Sequence, residues 1–127
     1  TLDGAMASNP LHAFADGGSV TFVGGSGNDT LVGGTGSATM TGGGGDNLFA
    51  FTNGASSGGY NVITDFGSAA GNMVALYQYG YQSNNGLQGV LSAATISGGN
   101  STIQLNDSTR ITFVGITDLK TSDFTLS

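Results

Sequence analysis

Several residue types are scarce in this 127-residue chain, and each scarcity excludes a class of protein. Cysteine is absent, which excludes disulfides, iron–sulfur clusters and thiol catalysis. Only Arg110 and Lys120 are basic, so the chain lacks the Lys and Arg clusters with which proteins bind nucleic acid. No apolar run is long enough to span a membrane, and the N-terminus shows no Sec-type signal pattern.

Glutamate is also absent, since all eight acidic residues are aspartate, and the net charge is −6. Short Asp side chains form turns and bind cations, whereas an acidic surface selected for solubility would normally mix Asp and Glu. Glycine is abundant instead, with 24 residues and no collagen-like period. With one proline and Gly-rich turns between apolar runs, this composition predicts β structure in one domain or one capped repeat module.

A nine-residue repeat contains much of the glycine. Residues 24–32 read GGSGNDTLV and match the pattern G-G-x-G-x-D-x-U-x, where U is a large apolar residue. Residues 33–41 and 42–50 keep the frame, with Ala38 and Asn47 in place of the aspartate. The pattern is the signature of a parallel β-roll whose turns bind Ca²⁺.

The apolar positions of the repeat predict the core of the roll. A degraded copy over residues 16–22 extends the frame upstream. A single repeat cannot bury its apolar side chain alone, so stacked neighbours must cover it. The expected core positions, nine residues apart, are Phe22, Leu31, Met40 and Phe49.

Beyond a polar loop at 52–59 the pattern changes. Residues 95–114 alternate apolar and polar side chains between Gly- and Asn-containing turns, which predicts an antiparallel meander, and Leu87–Ala94 predicts one or two helical turns. The predicted fold class is therefore all-β: a short parallel β-roll over 15–50, followed by an antiparallel β meander cap over 51–127. Residues 1–14 are interpreted as the edge of a fragment.

These motifs resemble the RTX proteins, the hemolysin-type calcium-binding repeat family of Gram-negative bacteria. Beside the repeat, Ile63-Thr64-Asp65-Phe66 resembles the family's I-x-D-F segment, and residues 72–76 resemble its D-x-I-x-L segment with Asn72 in place of Asp. The resemblance implies a non-catalytic module of a larger secreted protein, with a parent chain upstream. It also implies export by the type I secretion machinery, whose uncleaved signal often ends as residues 123–126 do; Phe124 and Leu126 alternatively form a last strand.

In this family Ca²⁺ lies between turns two repeats apart, so its paired Asp positions are 18 residues apart. Applied here, that spacing places Ca²⁺ on the edge with Asp29 and Asn47, and not on the edge with Ala38. The metal ligands implied in this way are Gly25, Gly27, Asp29, Gly42, Gly44, Asp46, Asn47 and Asp65. Because the best site has one carboxylate where the family uses two, we expect a Kd of about 10⁻⁴–10⁻³ M or weaker. The alternative is a roll that folds without metal.

The sequence does not predict an enzyme. His12 is the only histidine and has no partner for a zinc site. No G-x-S-x-G elbow occurs, and no G-K-[ST] follows the glycines at 42–45.

The tyrosines suggest a second class of function. Tyr77, Tyr79 and Tyr81 alternate with other residues, which places their rings on one side of an extended segment. With Tyr60 they would form a carbohydrate- or cell-surface-binding face, or they would cap the roll, as every solenoid requires. We favour the cap; a surface-layer or adhesin assembly unit is a third interpretation.

Overall fold

A computed structural model describes residues 1–4, 6, 8–82 and 86–127. In this part of the chain, strands of two sheets alternate along most of the sequence. The described residues also form one α-helix, α1 (Gly86–Ser92), and short 3₁₀ turns at Phe66–Ser68 and Thr121–Asp123.

One sheet has five strands, all parallel to their neighbours. In spatial order its strands are β12 (Phe124–Leu126), β8 (Met73–Tyr77), β6 (Leu48–Thr52), β4 (Thr30–Val32) and β2 (His12–Phe14).

The other sheet has seven strands and is mixed. In spatial order its strands are β1 (Leu2–Asp3), β3 (Ser19–Val23), β5 (Ser37–Thr41), β7 (Tyr60–Ile63), β11 (Arg110–Phe113), β10 (Asn100–Gln104) and β9 (Thr95–Ser97). The neighbours among β1, β3, β5, β7 and β11 pair in parallel. Strand β10 pairs antiparallel with both β11 and β9.

The nine-residue repeat explains the alternation between sheets. Each repeat supplies one short strand, and successive strands enter opposite sheets, so strands two repeats apart become neighbours. Phe22 pairs with Met40 in the seven-stranded sheet, and Leu31 pairs with Phe49 in the five-stranded sheet. All four side chains are at most 4% exposed, as the spacing of apolar positions predicts.

The core continues past the repeats through aromatic packing. Phe113 of β11 contacts Phe66 edge-on, with ring centroids 5.2 Å apart, and also packs at 6.1 Å against Phe124 of β12. Phe66 in turn lies 6.1 Å from Phe49. These rings join both sheets in one hydrophobic cluster, so the repeats and the C-terminal strands are buried together.

The predicted fold class is wrong: the protein is mixed α/β and is not an all-β roll followed by a meander. The strands after residue 51 do not form a separate antiparallel cap, because β7 and β11 extend one sheet in parallel and β8 and β12 extend the other. Among the described strands only β9 and β10 add antiparallel, and α1 packs against β10 and the 3₁₀ turn at Thr121–Asp123. The inner faces of β8, β11 and β12 are apolar, and that of β7 places Ile63 beside the buried Asn61, so these strands are buried best by continuing the existing sheets.

One of the two segment boundaries predicted from the sequence falls inside an element, and the other, between residues 14 and 15, directly follows β2. The boundary between residues 50 and 51 lies within β6, and residues 1–14 contain β1 and β2, which lie at one edge of each sheet. The predicted helical turns at Leu87–Ala94 correspond to α1.

Candidate functional site

The candidate site is a row of buried polar side chains at the N-terminal ends of three neighbouring strands of the five-stranded sheet. We call Asp29, Asn47 and Asn72 the Asp29 ladder. Each residue immediately precedes a strand, namely β4, β6 and β8. Their exposures are only 1%, 1% and 2%, and buried polar groups of this kind require hydrogen-bond partners.

Each ladder side chain accepts the backbone N–H of the residue at the same position one turn earlier in that sheet. Asn47 Oδ1 accepts the Asp29 N–H at 2.9 Å, and Asn72 Oδ1 accepts the Asn47 N–H at 2.8 Å. Asp29 Oδ1 accepts the N–H of Leu11, which precedes β2, at 2.8 Å. The ladder thus supplies acceptors for backbone groups that the short strands leave unpaired.

The same side chains also close their own turns. Asp29 Oδ2 accepts the Gly25 N–H at 3.0 Å, and Asn72 Nδ2 donates to the Phe66 carbonyl at 2.9 Å. Asn47 Nδ2 donates to the Gly44 carbonyl at 3.3 Å. An Asn serves this double role with one acceptor and one donor, whereas Asp29 serves it with two acceptors.

Two glycines are required by this close packing. A Cβ atom at Gly24 would overlap Asp29 Oδ2 and the Gly42 carbonyl oxygen. Gly43 has φ +81°, a conformation that side chains disfavour, and a Cβ there would overlap the Gly25 carbonyl oxygen. The turn glycines therefore allow adjacent turns to stack closely enough for the ladder to form.

The structure brings part of the predicted ligand set together. The Gly25 carbonyl accepts the Gly44 N–H at 2.9 Å, which places Gly25 and Gly44 beside Asp29 and Asn47. Gly27 lies between the backbone of Asn9 and Pro10 on one side and Gly45 of the next turn on the other.

The remaining predicted ligands lie at the rim of the ladder. The Asp65 carboxylate accepts the Gly42 N–H at 2.9 Å and the Gly43 N–H at 2.8 Å. Asp46 is exposed; its N–H donates to Asn28 Oδ1 at 2.8 Å, and its carboxylate lies against Gly71.

Calcium requires about six to eight oxygen ligands. At this edge both carboxylate oxygens of Asp29 and the amide oxygen of Asn47 already accept backbone N–H groups. Among the described residues, no group of three or more His, Cys, Asp or Glu side chains could hold a metal ion. Calcium binding at these residues stays a prediction.

Sequence reasoning did not include Asn72 among the site residues. The ladder spacing is 18 residues from Asp29 to Asn47 but 25 from Asn47 to Asn72. The loop between β6 and β7 interrupts the nine-residue frame, so spacing alone does not place Asn72. Like Asp29 and Asn47, Asn72 lies directly before an apolar strand, here β8, and this shared position is the signal that identifies it in the sequence.

A second polar cluster lies at the other end of these strands, just past the C-terminal ends of β6 and β8, and we call it the Asp107 hub. Asp107 Oδ2 accepts the Gly54 N–H at 3.1 Å and the Tyr79 hydroxyl at 3.0 Å, while Oδ1 accepts the Thr109 N–H at 3.1 Å. The Asp107 carbonyl accepts the Ser57 hydroxyl at 3.0 Å. The hub therefore ties the β10–β11 turn to the loop after β6 and to the tyrosine segment.

The hub also shifts the acidity of its members. Burial would raise the pKa of Asp107, but hydrogen bonds from Thr109, Gly54 and Tyr79 outweigh it and lower the pKa. Burial is the main cause that raises the pKa of Tyr79, and the nearby Asp107 charge adds to it. The hub consequently pairs a carboxylate with a neutral phenol at physiological pH.

The tyrosines do not form the single face that their alternation predicts. Positive φ angles at Gln78 (64°) and Gly80 (76°) break the extended conformation after β8. Tyr79 is 5% exposed and stacks on Tyr81, with ring centroids 5.6 Å apart and an interplanar angle of 5°. Tyr60 is 47% exposed on the seven-stranded sheet, whereas Tyr79 belongs to the core cluster.

His12 is an exposed residue of β2. Its ring stacks on Phe14 with centroids 4.6 Å apart. This contact gives it a surface packing role.

The geometry of the ladder and the hub invites comparison with known proteins. No family model and no curated protein matches this chain. The RTX resemblance therefore rests on the repeat and the segments quoted from the sequence. In the described part of the chain, no helix has the length and apolar content needed to cross a bilayer.

Proposed function

We propose that this chain is a non-catalytic folding module of a larger extracellular bacterial protein, exported through a type I secretion pathway. The observation that carries the proposal is the Asp29 ladder. Acidic and amide side chains at repeat positions are used to close turns and join neighbouring turns, with both oxygens of Asp29 engaged in this way. A scaffold built from such stacked turns supports the neighbouring domains of its parent protein and needs no catalytic residues.

The distribution of the acidic groups also favours a scaffold over an enzyme. Asp29, Asp65 and Asp107 each accept at least two hydrogen bonds from backbone N–H groups. A general base or nucleophile needs a carboxylate that is free to meet substrate. These three carboxylates instead hold the fold together.

Export is tested in a Gram-negative host that carries a type I secretion apparatus. We expect the full chain in the culture medium and a chain ending at Lys120 inside the cell, because residues 121–127 contain the proposed signal. Ser122→Ala, an exposed change within the same segment, is the matched control and should be exported normally. Equal export of the full and shortened chains, or export of neither, would refute this part of the proposal.

Calcium is expected to stabilise the fold only slightly. If the Kd is about 10⁻³ M or weaker, about 10 mM CaCl₂ raises the free energy of unfolding by no more than about 1.4 kcal/mol. The physical reason is that Ca²⁺ competes with backbone N–H groups for the oxygens of Asp29 and Asn47.

The measurement is urea unfolding with CaCl₂, with MgCl₂ at equal ionic strength, and with EDTA. The Mg²⁺ sample separates specific binding from screening of the net charge of −6. An unfolded chain in EDTA, or stabilisation of several kcal/mol by Ca²⁺ alone, would show that a bound ion closes these turns and not the ladder.

A further inference from the structure

The middle of the chain is electrically neutral in an otherwise acidic protein. No charged residue lies between Asp65 and Asp107, although the net charge of the whole chain is −6. The same segment is rich in amide side chains and contains three of the four tyrosines. Its surface therefore offers hydrogen-bonding groups and aromatic rings without a counter-ion for a charged ligand.

This neutral segment forms one wall of a cleft beside α1. The cleft has a volume of about 510 Å³ and lies between α1 and the start of β12. Its polar lining comes from Tyr81, Gln82, Gln88 and Thr121, and its apolar lining includes Leu87 and Phe124. Small-molecule sites have this size and this mixture of apolar surface with a few polar groups.

The Tyr81 ring is held in place before any ligand arrives. It stacks on Tyr79, and its hydroxyl oxygen accepts the Asn106 N–H at 2.8 Å. Asn106 Nδ2 also donates to the Tyr79 carbonyl at 3.0 Å. Tyr79 is fixed in turn by its hydrogen bond to Asp107. A ring fixed on two sides loses little conformational entropy on binding.

We infer that this cleft binds a neutral oligosaccharide, with Tyr81 as the aromatic platform. Sugar rings present C–H groups that pack on an aromatic surface and hydroxyl groups that pair with amides such as Gln82 and Gln88. A purely apolar ligand would leave these amides unpaired, and an ionic ligand would find no opposite charge in the lining. The inference is independent of the proposed export and folding role.

The test is titration of the isotope-labelled chain with neutral trisaccharides, namely maltotriose, cellotriose and chitotriose, followed by ¹H–¹⁵N NMR. We expect the amide resonances of residues around Tyr81 to shift saturably with at least one of these sugars, with a Kd of about 1 mM. Tyr81→Ala should weaken binding by about tenfold through loss of the stacking surface. Tyr60→Ala removes an exposed tyrosine outside the cleft and should bind like the wild type.

A second variant covers the case in which Tyr81→Ala does not fold. Gln88 is an exposed residue of α1, so Gln88→Ala should fold normally and still weaken binding severalfold. Wild-type chain that shows no saturable shifts with any of the three sugars would overturn the inference. Equal binding by the wild type and Gln88→Ala, or tighter binding of an acidic trisaccharide, would also overturn it.

Discussion

Replacing Asp29 with alanine is expected to lower the free energy of unfolding by about 2–6 kcal/mol. The change removes the acceptor of the Leu11 N–H and of the Gly25 N–H, and it leaves both groups in a site where the side chain is 1% exposed. Each buried donor without a partner costs about 1–3 kcal/mol. Urea unfolding followed by tyrosine fluorescence and far-UV circular dichroism measures the loss.

The matched control is Asp46→Ala. Asp46 is exposed, and the hydrogen bond from its backbone N–H to Asn28 does not need its side chain. Its removal should therefore change stability by less than about 0.5 kcal/mol. If Asp29→Ala were no more destabilising than Asp46→Ala, the ladder would not be a significant source of stability.

The Asp107 hub gives the second large effect. Asp107→Ala should lower the free energy of unfolding by about 2–3 kcal/mol near neutral pH, because a charged acceptor shared by Gly54, Tyr79 and Thr109 is lost. The loop after β6 should also become more mobile, since Gly54 loses the acceptor of its N–H. Hydrogen exchange measured by mass spectrometry reports this local opening.

The effect of Asp107→Ala should depend on pH. The folded-state pKa of Asp107 lies below its ordinary value of 3.8 because of its hydrogen bonds. The stability it contributes is therefore present above that ordinary value and is lost as the pH falls through the lowered folded-state pKa. The difference between wild type and variant should be largest near about pH 6 and should shrink toward about pH 2.

Asp118→Ala serves as the control for this experiment. Asp118 pairs with Lys120 at 3.8 Å, and both side chains are more than two-thirds exposed, at 78% and 70%. An exposed pair of this kind contributes little to stability. A pH profile of Asp107→Ala that parallels the wild type would mean that the hub is not an electrostatic element.

The sequence predicted the buried positions of the repeat because the information there is local. A large apolar residue every nine positions predicts stacked short strands, and Phe22, Leu31, Met40 and Phe49 are buried accordingly. In the C-terminal half, the antiparallel pairing predicted within residues 95–114 is present. The parallel pairing of β7, β8, β11 and β12 with the earlier strands was missed because it is non-local. Arg110 pairs with Tyr60, and Phe124 pairs with Val74, across insertions that no periodic pattern spans.

The role of the candidate site residues as calcium ligands stays a prediction. Asp29 and Asn47 do lie on neighbouring turns, but the oxygens assigned to a metal accept backbone N–H groups. The sequence shows that Asp29 and Asn47 have acceptor oxygens, but it does not show whether such an oxygen binds a cation or a backbone amide. The Asp107 hub had no sequence signal, since its partners Gly54 and Tyr79 lie in separate loops.

In the Asp29 ladder each acceptor side chain lies later in the chain than the N–H that it accepts, and this polarity affects the sequence in which the turns can fold. Asp29 accepts from Leu11, Asn47 from Asp29, and Asn72 from Asn47, so every turn is latched by a residue that lies later in the chain. A chain leaving the ribosome exposes each turn before its latch exists. If the proposed export delivers the C-terminus first, each of these residues crosses the membrane before the turn that it closes, so every turn that follows meets a partner already in place.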